Sequence, residues 1–150
     1  MAFTSQQTKR LSRALPSSAI KTRHIDGFEM RYIEGWFAID EANRVFGFDG
    51  CSRENLSVSC LSAKAAGNIF VVNYICRIRI RIGSGELFRD GTGFGAAQAS
   101  TLGQAHEQAV KTAETDATKR AFVTFGKRFG LQLYAPRPET PPVSTTPTPA

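Results

Sequence analysis

The sequence predicts an α+β fold: a three-stranded antiparallel sheet with a long hairpin, packed on a long C-terminal helix, in the order α-β-β-β-α. Three observations carry this. Ile69–Ile82 reads as a long strand, mixed at first and strictly alternating from Arg77 to Ile82. Gly83-Ser84-Gly85 then supplies turn residues before a second extended run, Leu87–Gly95. Beyond it, Ala105, Ala109, Ala113, Ala117 and Ala121 repeat every fourth residue, which puts small side chains on one stripe of a helix.

The remaining elements follow in order. Gln6–Leu15 predicts a short amphipathic helix carrying Lys9, Arg10 and Arg13, stopped by Pro16. Trp36, Ile39, Ala42, Asn43 and Phe46 recur at helical spacing, and that helix ends near Gly47. Phe48-Asp49-Gly50 reads as a turn. Leu56–Ser62 alternates as a strand with Leu56, Val58 and Cys60 on one face. Gly91, Gly93 and Gly95 weaken the last strand and mark strong bending or close backbone approach. Thr101-Leu102-Gly103-Gln104 fits a capping box. Phe125 and Phe129 extend the alanine series, and Gly130 is positioned as the C-cap.

This organisation gives a basic N-terminal arm or short helix over residues 1–20, a main domain over 21–134 and a Pro/Thr-rich tail over 135–150. Pro136, Pro138, Pro141, Pro142, Pro147 and Pro149 leave the tail unable to build a core. It reads as disordered, either a plain tail or a docking peptide for a repair protein.

Composition narrows the function without naming it. A chain of 150 residues, 41% hydrophobic, has room for one domain with a real core. A net charge of +6 favours a polyanionic partner, although many basic proteins bind no nucleic acid. Cys51, Cys60 and Cys76 have no C-x-x-C spacing and read as buried reduced thiols. No signal peptide or membrane span is visible, so a cytoplasmic, nucleoid-associated protein is expected.

An enzyme is disfavoured. His106-Glu107 is not a metal motif, Asp40-Glu41 cannot converge from adjacent helix positions, and Gly91–Gly95 lacks the Lys-Ser/Thr of a phosphate loop. No metal or cofactor is implied.

The cationic residues fall in three groups. Lys111, Lys119, Arg120, Lys127 and Arg128 share the last predicted helix, as a phosphate-binding ridge or as a solvated face with C-terminal cations. Arg77, Arg79 and Arg81 alternate with isoleucines and lie on one strand face at roughly 6.6–6.8 Å intervals. They form a nucleic-acid-binding stripe, or gatekeepers that keep an exposed strand from aggregating. Lys21, Arg23 and Arg31 precede the helix that begins near Trp36.

Tyr32-Ile33-Glu34-Gly35, then Ala42-Asn43, then Phe46-Gly47-Phe48-Asp49-Gly50, form one ordered block. Thr115-Asp116-Ala117-Thr118-Lys119-Arg120-Ala121 with Phe125-Gly126 forms a second. Over roughly Leu15 to Leu131 the chain resembles the Rad52/22 family of single-strand annealing proteins. The resemblance implies oligomeric rings that bind single-stranded DNA and pair it with a complementary strand. It implies phosphate binding by Lys119 and Arg120, a groove position for Arg23, and an aromatic beside that groove at Tyr32, whose alternative role is packing.

The departures from the family are specific. Val123 replaces a further basic residue, which Lys127 or Arg128 would have to make up. Trp36 and Phe37 replace polar or basic residues and read as core or subunit contacts. Ser100 replaces a lysine of an outer DNA site, and the family has one arginine near Arg79 rather than three.

The expected function is therefore a non-enzymatic single-stranded DNA-binding protein. It anneals complementary strands in recombination and double-strand break repair without ATP. Its partners are single-stranded DNA, copies of itself in a ring, and a recombinase or single-strand-binding protein. The lack of a long second half suggests a minimal bacterial or phage-like form. The competing reading is a double-stranded RNA-binding module, whose strand and helix order is similar, or another basic accessory protein. The Tyr32–Gly50 block discriminates against it.

Overall fold

The computed structural model describes residues 3–135. The tail expected to be disordered, from Pro136 to Ala150, lies outside them. The elements are α1 (Ser5–Ser12), β1 (Lys21–Ile25), β2 (Phe28–Tyr32), α2 (Gly35–Phe46), β3 (Cys51–Ala66), β4 (Ile69–Ile82), β5 (Leu87–Ala99) and α3 (Leu102–Val123). Two short 3₁₀ turns, Lys127–Phe129 and Leu131–Tyr134, follow α3. Strands β3-β4-β5 form one antiparallel sheet, and β1-β2 form a separate two-stranded ribbon. The run α2-β3-β4-β5-α3 has the expected α-β-β-β-α order.

The β4–β5 register decides how α3 sits on the sheet. Ile78 lies opposite Gly91, Cys76 opposite Gly93 and Tyr74 opposite Gly95. The large residues of β4 are therefore paired with bare backbone on β5. The alanines of α3 fill the space over those glycines, and Ala105, Ala109, Ala113, Ala117 and Ala121 are all fully buried. A Cβ added at Gly93 would stand 2.1 Å from the Ala117 nitrogen and 2.5 Å from the Ala113 carbonyl oxygen. Of the two readings of these glycines, bending and close approach, close approach is the one the contacts explain. The helix itself begins on Thr101, whose hydroxyl accepts from the Gln104 amide at 3.3 Å.

At the far end of α3 the packing becomes aromatic. Phe122 and Phe129 stack with ring centroids 5.1 Å apart, and Phe46 stacks on Phe129 at 6.3 Å. The alanine series does not continue helically into these residues, however. Helix α3 stops at Val123, and Gly126 has φ +132°, a conformation that turns the chain. Phe129 still reaches the core, but from a separate turn, and Lys127 and Arg128 leave the α3 face on which they were expected.

The N-terminal segment is more than an arm. A full capping box between Thr4 and Gln7 starts α1, and Leu11 and Leu15 are buried in the main core. Beside them Glu41 of α2 is buried to 1% exposure and accepts from two arginines. Arg10 Nε lies 2.9 Å and Arg128 Nε 3.0 Å from the same carboxylate oxygen. This group ties α1, α2 and the turn after α3 together. Burial alone would raise the Glu41 carboxyl, but the hydrogen bonds from Arg10 and Arg128 outweigh it and hold it below its ordinary range.

Four expectations need correction. Strand β3 is far longer than Leu56–Ser62, and none of its residues is buried. Irregularities between Asn55 and Ser57 and between Cys60 and Ser62 leave Leu56 and Leu61 out of register with β4. Of the two roles read for Trp36, core or subunit contact, the core role is excluded: Trp36 is 64% and its neighbour in the helical series, Ile39, 48% exposed, because α2 turns Ala38, Glu41, Ala42 and Val45 inward. Cys60 is exposed rather than buried, while Cys76 is buried and Cys51 half-buried. The β1–β2 ribbon was missed altogether, although Asp26-Gly27 is a strong hairpin signal. Asp26 and Gly27 have φ +50° and +80°, as that tight turn demands.

Three stability predictions follow from this packing. Gly93→Val forces α3 off the sheet and is expected to cost about 3 kcal/mol or more. Gly103→Ala, at a helical position open to solvent, is expected to stabilise by roughly 0.5–1 kcal/mol. Denaturant midpoints measure both. Glu41→Gln leaves two arginines without their counter-charge and is expected to cost about 3 kcal/mol. Because the folded Glu41 carboxyl is lowered from 4.5, its contribution is complete above that pH and is lost as pH falls through the folded value. The Gln variant should therefore lose part of the wild-type acid dependence in a pH series of thermal melts.

Candidate nucleic-acid interface

One wall of the principal cleft is the β1–β2 ribbon, and the other is the outer face of α3. Its volume is about 1030 Å³, and residues of the turns from Phe129 to Ala135 also line it. Helical spacing explains the α3 wall. Lys111, Thr115 and Lys119 stand four residues apart and share a face, with Asp116 and Arg120 beside them. Strand alternation explains the ribbon wall. Phe28, Met30 and Tyr32 share one face of β2, opposite Ile25, Arg23 and Lys21 of β1.

The two walls meet at Tyr32. The Arg23 guanidinium lies 4.8 Å from the Tyr32 ring centroid, and the Lys119 ammonium lies 5.4 Å from it. Lys119 Nζ also donates to the Ile33 carbonyl at 3.2 Å. Burial pushes the Lys119 ammonium below the ordinary lysine range; Asp116 opposes this, and the charges of Arg23 and Arg120 add to it. A phosphate placed here would relieve that repulsion and favour the charged form.

Arg120 is held by Asp116, with Nε 3.1 Å from Oδ2. The same oxygen accepts from the Phe94 amide of β5 at 3.0 Å, so Asp116 fixes the cationic wall to the sheet.

The sequence-derived site residues divide by location. Arg23, Tyr32, Lys119 and Arg120 line one cleft. Lys21 is exposed at the base of the same ribbon, opposite Tyr32, but does not line it. Arg128 is committed to Glu41 and to the Ala14 carbonyl, at 2.8 Å, and is largely buried. Lys127 is exposed on the neighbouring turn, outside the cleft. Neither of them stands in for the basic residue replaced by Val123, because the chain turns at Gly126 before reaching them.

Arg77, Arg79 and Arg81 do form a row, on the sheet face opposite α3, away from the cleft. Their charges are already paired. Arg77 and Arg79 reach Asp90 at 3.0 and 2.7 Å, and Arg81 reaches Glu54 at 3.5 Å. The Arg79 guanidinium also lies 4.2 Å from the Phe88 ring centroid. The hydrogen bond from Arg79, helped by Arg77, holds the Asp90 carboxyl below its usual range.

Sequence reasoning did not single out Phe28, Met30 and Phe94, whereas Lys111, read as part of a phosphate-binding ridge, and Arg31, read as one of the cations before the first block, both line the cleft. The ribbon residues were recoverable only by recognising the Asp26-Gly27 turn. Phe94 depends on tertiary packing. Among the described residues, no cluster of three or more His, Cys, Asp or Glu side chains could hold a metal, and no helix is long and apolar enough to cross a membrane.

The fold and cleft define a small α+β protein with a basic groove flanked by exposed aromatic and apolar side chains. The particular family is then settled by comparison: the chain belongs to the Rad52/22 family. The model of the Rad52/22 family double-strand break repair protein matches residues 4–147. The DNA repair and recombination protein RAD52 of Kluyveromyces lactis is 34% identical over 131 residues, covering 85% of this chain and 29% of that protein. The protein of the same name from Saccharomyces cerevisiae is 33% identical over 129 residues, covering 85% and 27%. The DNA repair RAD52-like protein 1, mitochondrial, of Arabidopsis thaliana is 31% identical over 126 residues, covering 84% and 64%. The chain thus spans less than a third of the length of the two fungal relatives.

Proposed function

We propose that this protein binds single-stranded DNA in the cleft between the β1–β2 ribbon and α3, and anneals complementary strands in DNA recombination and double-strand break repair. Annealing of this kind makes and breaks no covalent bond, so the proposal requires neither ATP nor metal. The observation that carries it is the convergence of Arg23 and Lys119 on the Tyr32 ring, with Arg120, Arg31 and Lys111 along the same cleft. Family membership supports the biological setting, since the relatives are named as DNA repair and recombination proteins.

In this mechanism the aromatic ring orders two cations that would otherwise repel. The pair then accepts a backbone phosphate without further rearrangement. Lys119 gains most, because its charge is poorly solvated until an anion arrives. A strand held by its phosphates keeps base edges free to sample a second strand. Catalysis is then alignment and local concentration.

We further propose a homo-oligomeric ring. Trp36, Ile39 and Phe48 are exposed large apolar residues on and just beyond α2, and β3 offers a long unpaired edge. Phe46, by contrast, is buried in the chain's own core and adds nothing to such a surface. A recombinase or a single-strand-binding protein is the further partner proposed. The arginine row on the opposite sheet face is assigned either to the incoming second strand or to protection of that face.

Lys119→Ala with Arg120→Ala is expected to weaken single-strand binding at least about tenfold, roughly 1.4 kcal/mol. The slope of log affinity against log salt should shrink by about one to two. Complementary-oligonucleotide annealing should slow in parallel. Unchanged affinity in an intact assembly would remove the cleft from the mechanism. Arg77→Gln, Arg79→Gln and Arg81→Gln together should leave primary binding within a few-fold; slowed annealing would assign the row to the second strand, and aggregation with normal annealing would make it a gatekeeper. Duplex RNA bound as tightly as single-stranded DNA, with no annealing, would favour the RNA-binding alternative. Native mass measurement should give an assembly well above a tetramer, also after removal of residues 136–150, and a stable micromolar monomer would refute the ring.

A further inference from the structure

The β1–β2 ribbon carries apolar side chains that its own packing does not explain. Every residue of β1 is exposed, as are the first three of β2. Phe28 is 78% exposed, Met30 50% and Ile25 41%. A scattered exposed apolar residue needs no explanation. These three are not scattered: Phe28 pairs directly with Ile25 across the turn, and Met30 follows Phe28 on the same strand face. All three line the cleft whose opposite wall carries Lys111, Lys119 and Arg120. From β5, Phe94 adds an aromatic ring, 55% exposed, to the same cleft.

The row has a definite geometry. Phe28, Met30 and Tyr32 succeed one another at alternate positions, roughly 6.6–6.8 Å apart. That step is about twice the ~3.4 Å rise per nucleotide of a stacked strand. A polynucleotide following the row at one nucleotide per step is therefore drawn out until its bases no longer stack on one another. Unstacked bases need apolar faces to cover them, and base–side-chain stacking is indifferent to sequence. Tyr32 is already engaged by Arg23 and Lys119 at the inner end, so the free positions are Phe28 and Met30. The tight turn at Asp26-Gly27 presents them on a short, well-defined hairpin.

We infer that Phe28 and Met30 form a base-contacting rail, which covers the unstacked bases of a single strand whose phosphates lie on the α3 wall. This rests on the proposed reading of the cleft and adds to it the groups that meet the bases. The cations confer affinity for any polyanion; the rail confers preference for a strand with exposed bases over a duplex, whose bases are buried.

The test compares a thymidine oligonucleotide with an abasic oligonucleotide of equal length and charge, bound to the full chain in its native assembly. The wild type should bind the base-bearing strand at least tenfold more tightly. Phe28→Ala should lose about five- to tenfold on the base-bearing strand, little on the abasic one, and keep the wild-type salt slope. Met30→Ala should act in the same direction with a smaller loss, and Phe28→Tyr should restore binding. Wild-type affinity of Phe28→Ala for both oligonucleotides would overturn the rail while leaving the cleft intact. Equal loss on both, with a changed native mass, would overturn it in favour of a contact between copies of the chain. Wild-type protein that binds neither oligonucleotide would overturn the cleft reading itself, and the rail with it.

Discussion

The close approach of α3 to β5 is the constraint on which the rest of this structure depends. Backbone packs on backbone because Gly91, Gly93 and Gly95 face a stripe of buried alanines. That contact fixes both the height and the rotation of α3 over the sheet. Rotation matters for function, since Lys111, Lys119 and Arg120 lie away from the alanine stripe and their direction follows from it. The Asp116 carboxylate, bonded at once to the Phe94 amide and to Arg120, carries the same constraint out to the cleft.

Charge is used here in two opposite ways. At Glu41 the cations are satisfied: two arginines converge on one buried carboxylate and join three segments distant in sequence. On the outer sheet face Arg77, Arg79 and Arg81 are likewise paired, with Asp90 and Glu54. In the cleft the balance is reversed. Arg23 and Lys119 converge on one aromatic ring, while Arg120 shares the Asp116 carboxylate with the Phe94 amide. Excess cationic potential is thus concentrated where a phosphate backbone can enter, although the arginine row is the more conspicuous feature of the sequence.

The ribbon contributes differently from the rest of the fold. Two short strands with no core beneath them are marginal structures on their own. Here the ribbon is anchored through Ile33, buried in the core, and through the Lys119 bond to the Ile33 carbonyl. A weakly buried element next to a rigid sheet suits a groove wall, since it places side chains against a ligand without loading them with packing duties.

Sequence alone determined the β4–β5 hairpin and α3, though not the extent of β3, because strict alternation in β4, the Gly83-Ser84-Gly85 turn and the four-residue alanine period are local patterns whose physics needs no distant partner. It also determined α2 up to its stop at Gly47, and it named Tyr32, Lys119 and Arg120, from the two family-like blocks, and Arg23, from a position just before the first, as candidates that now line one cleft. Tertiary structure decided what local pattern cannot encode. Whether Arg128 is a free cation or the partner of Glu41 depends on a turn at Gly126 and on a residue 87 positions earlier. Whether Arg77 and Arg79 are available depends on the β4–β5 register that sets Asp90 beside them. Trp36 and Ile39 share a helical period with buried residues, yet α2 packs through Ala38, Ala42, Val45 and Phe46, with Glu41 on the same inward face. The reason is the same in each case: periodicity reports which residues share a face, and only long-range packing decides what that face meets.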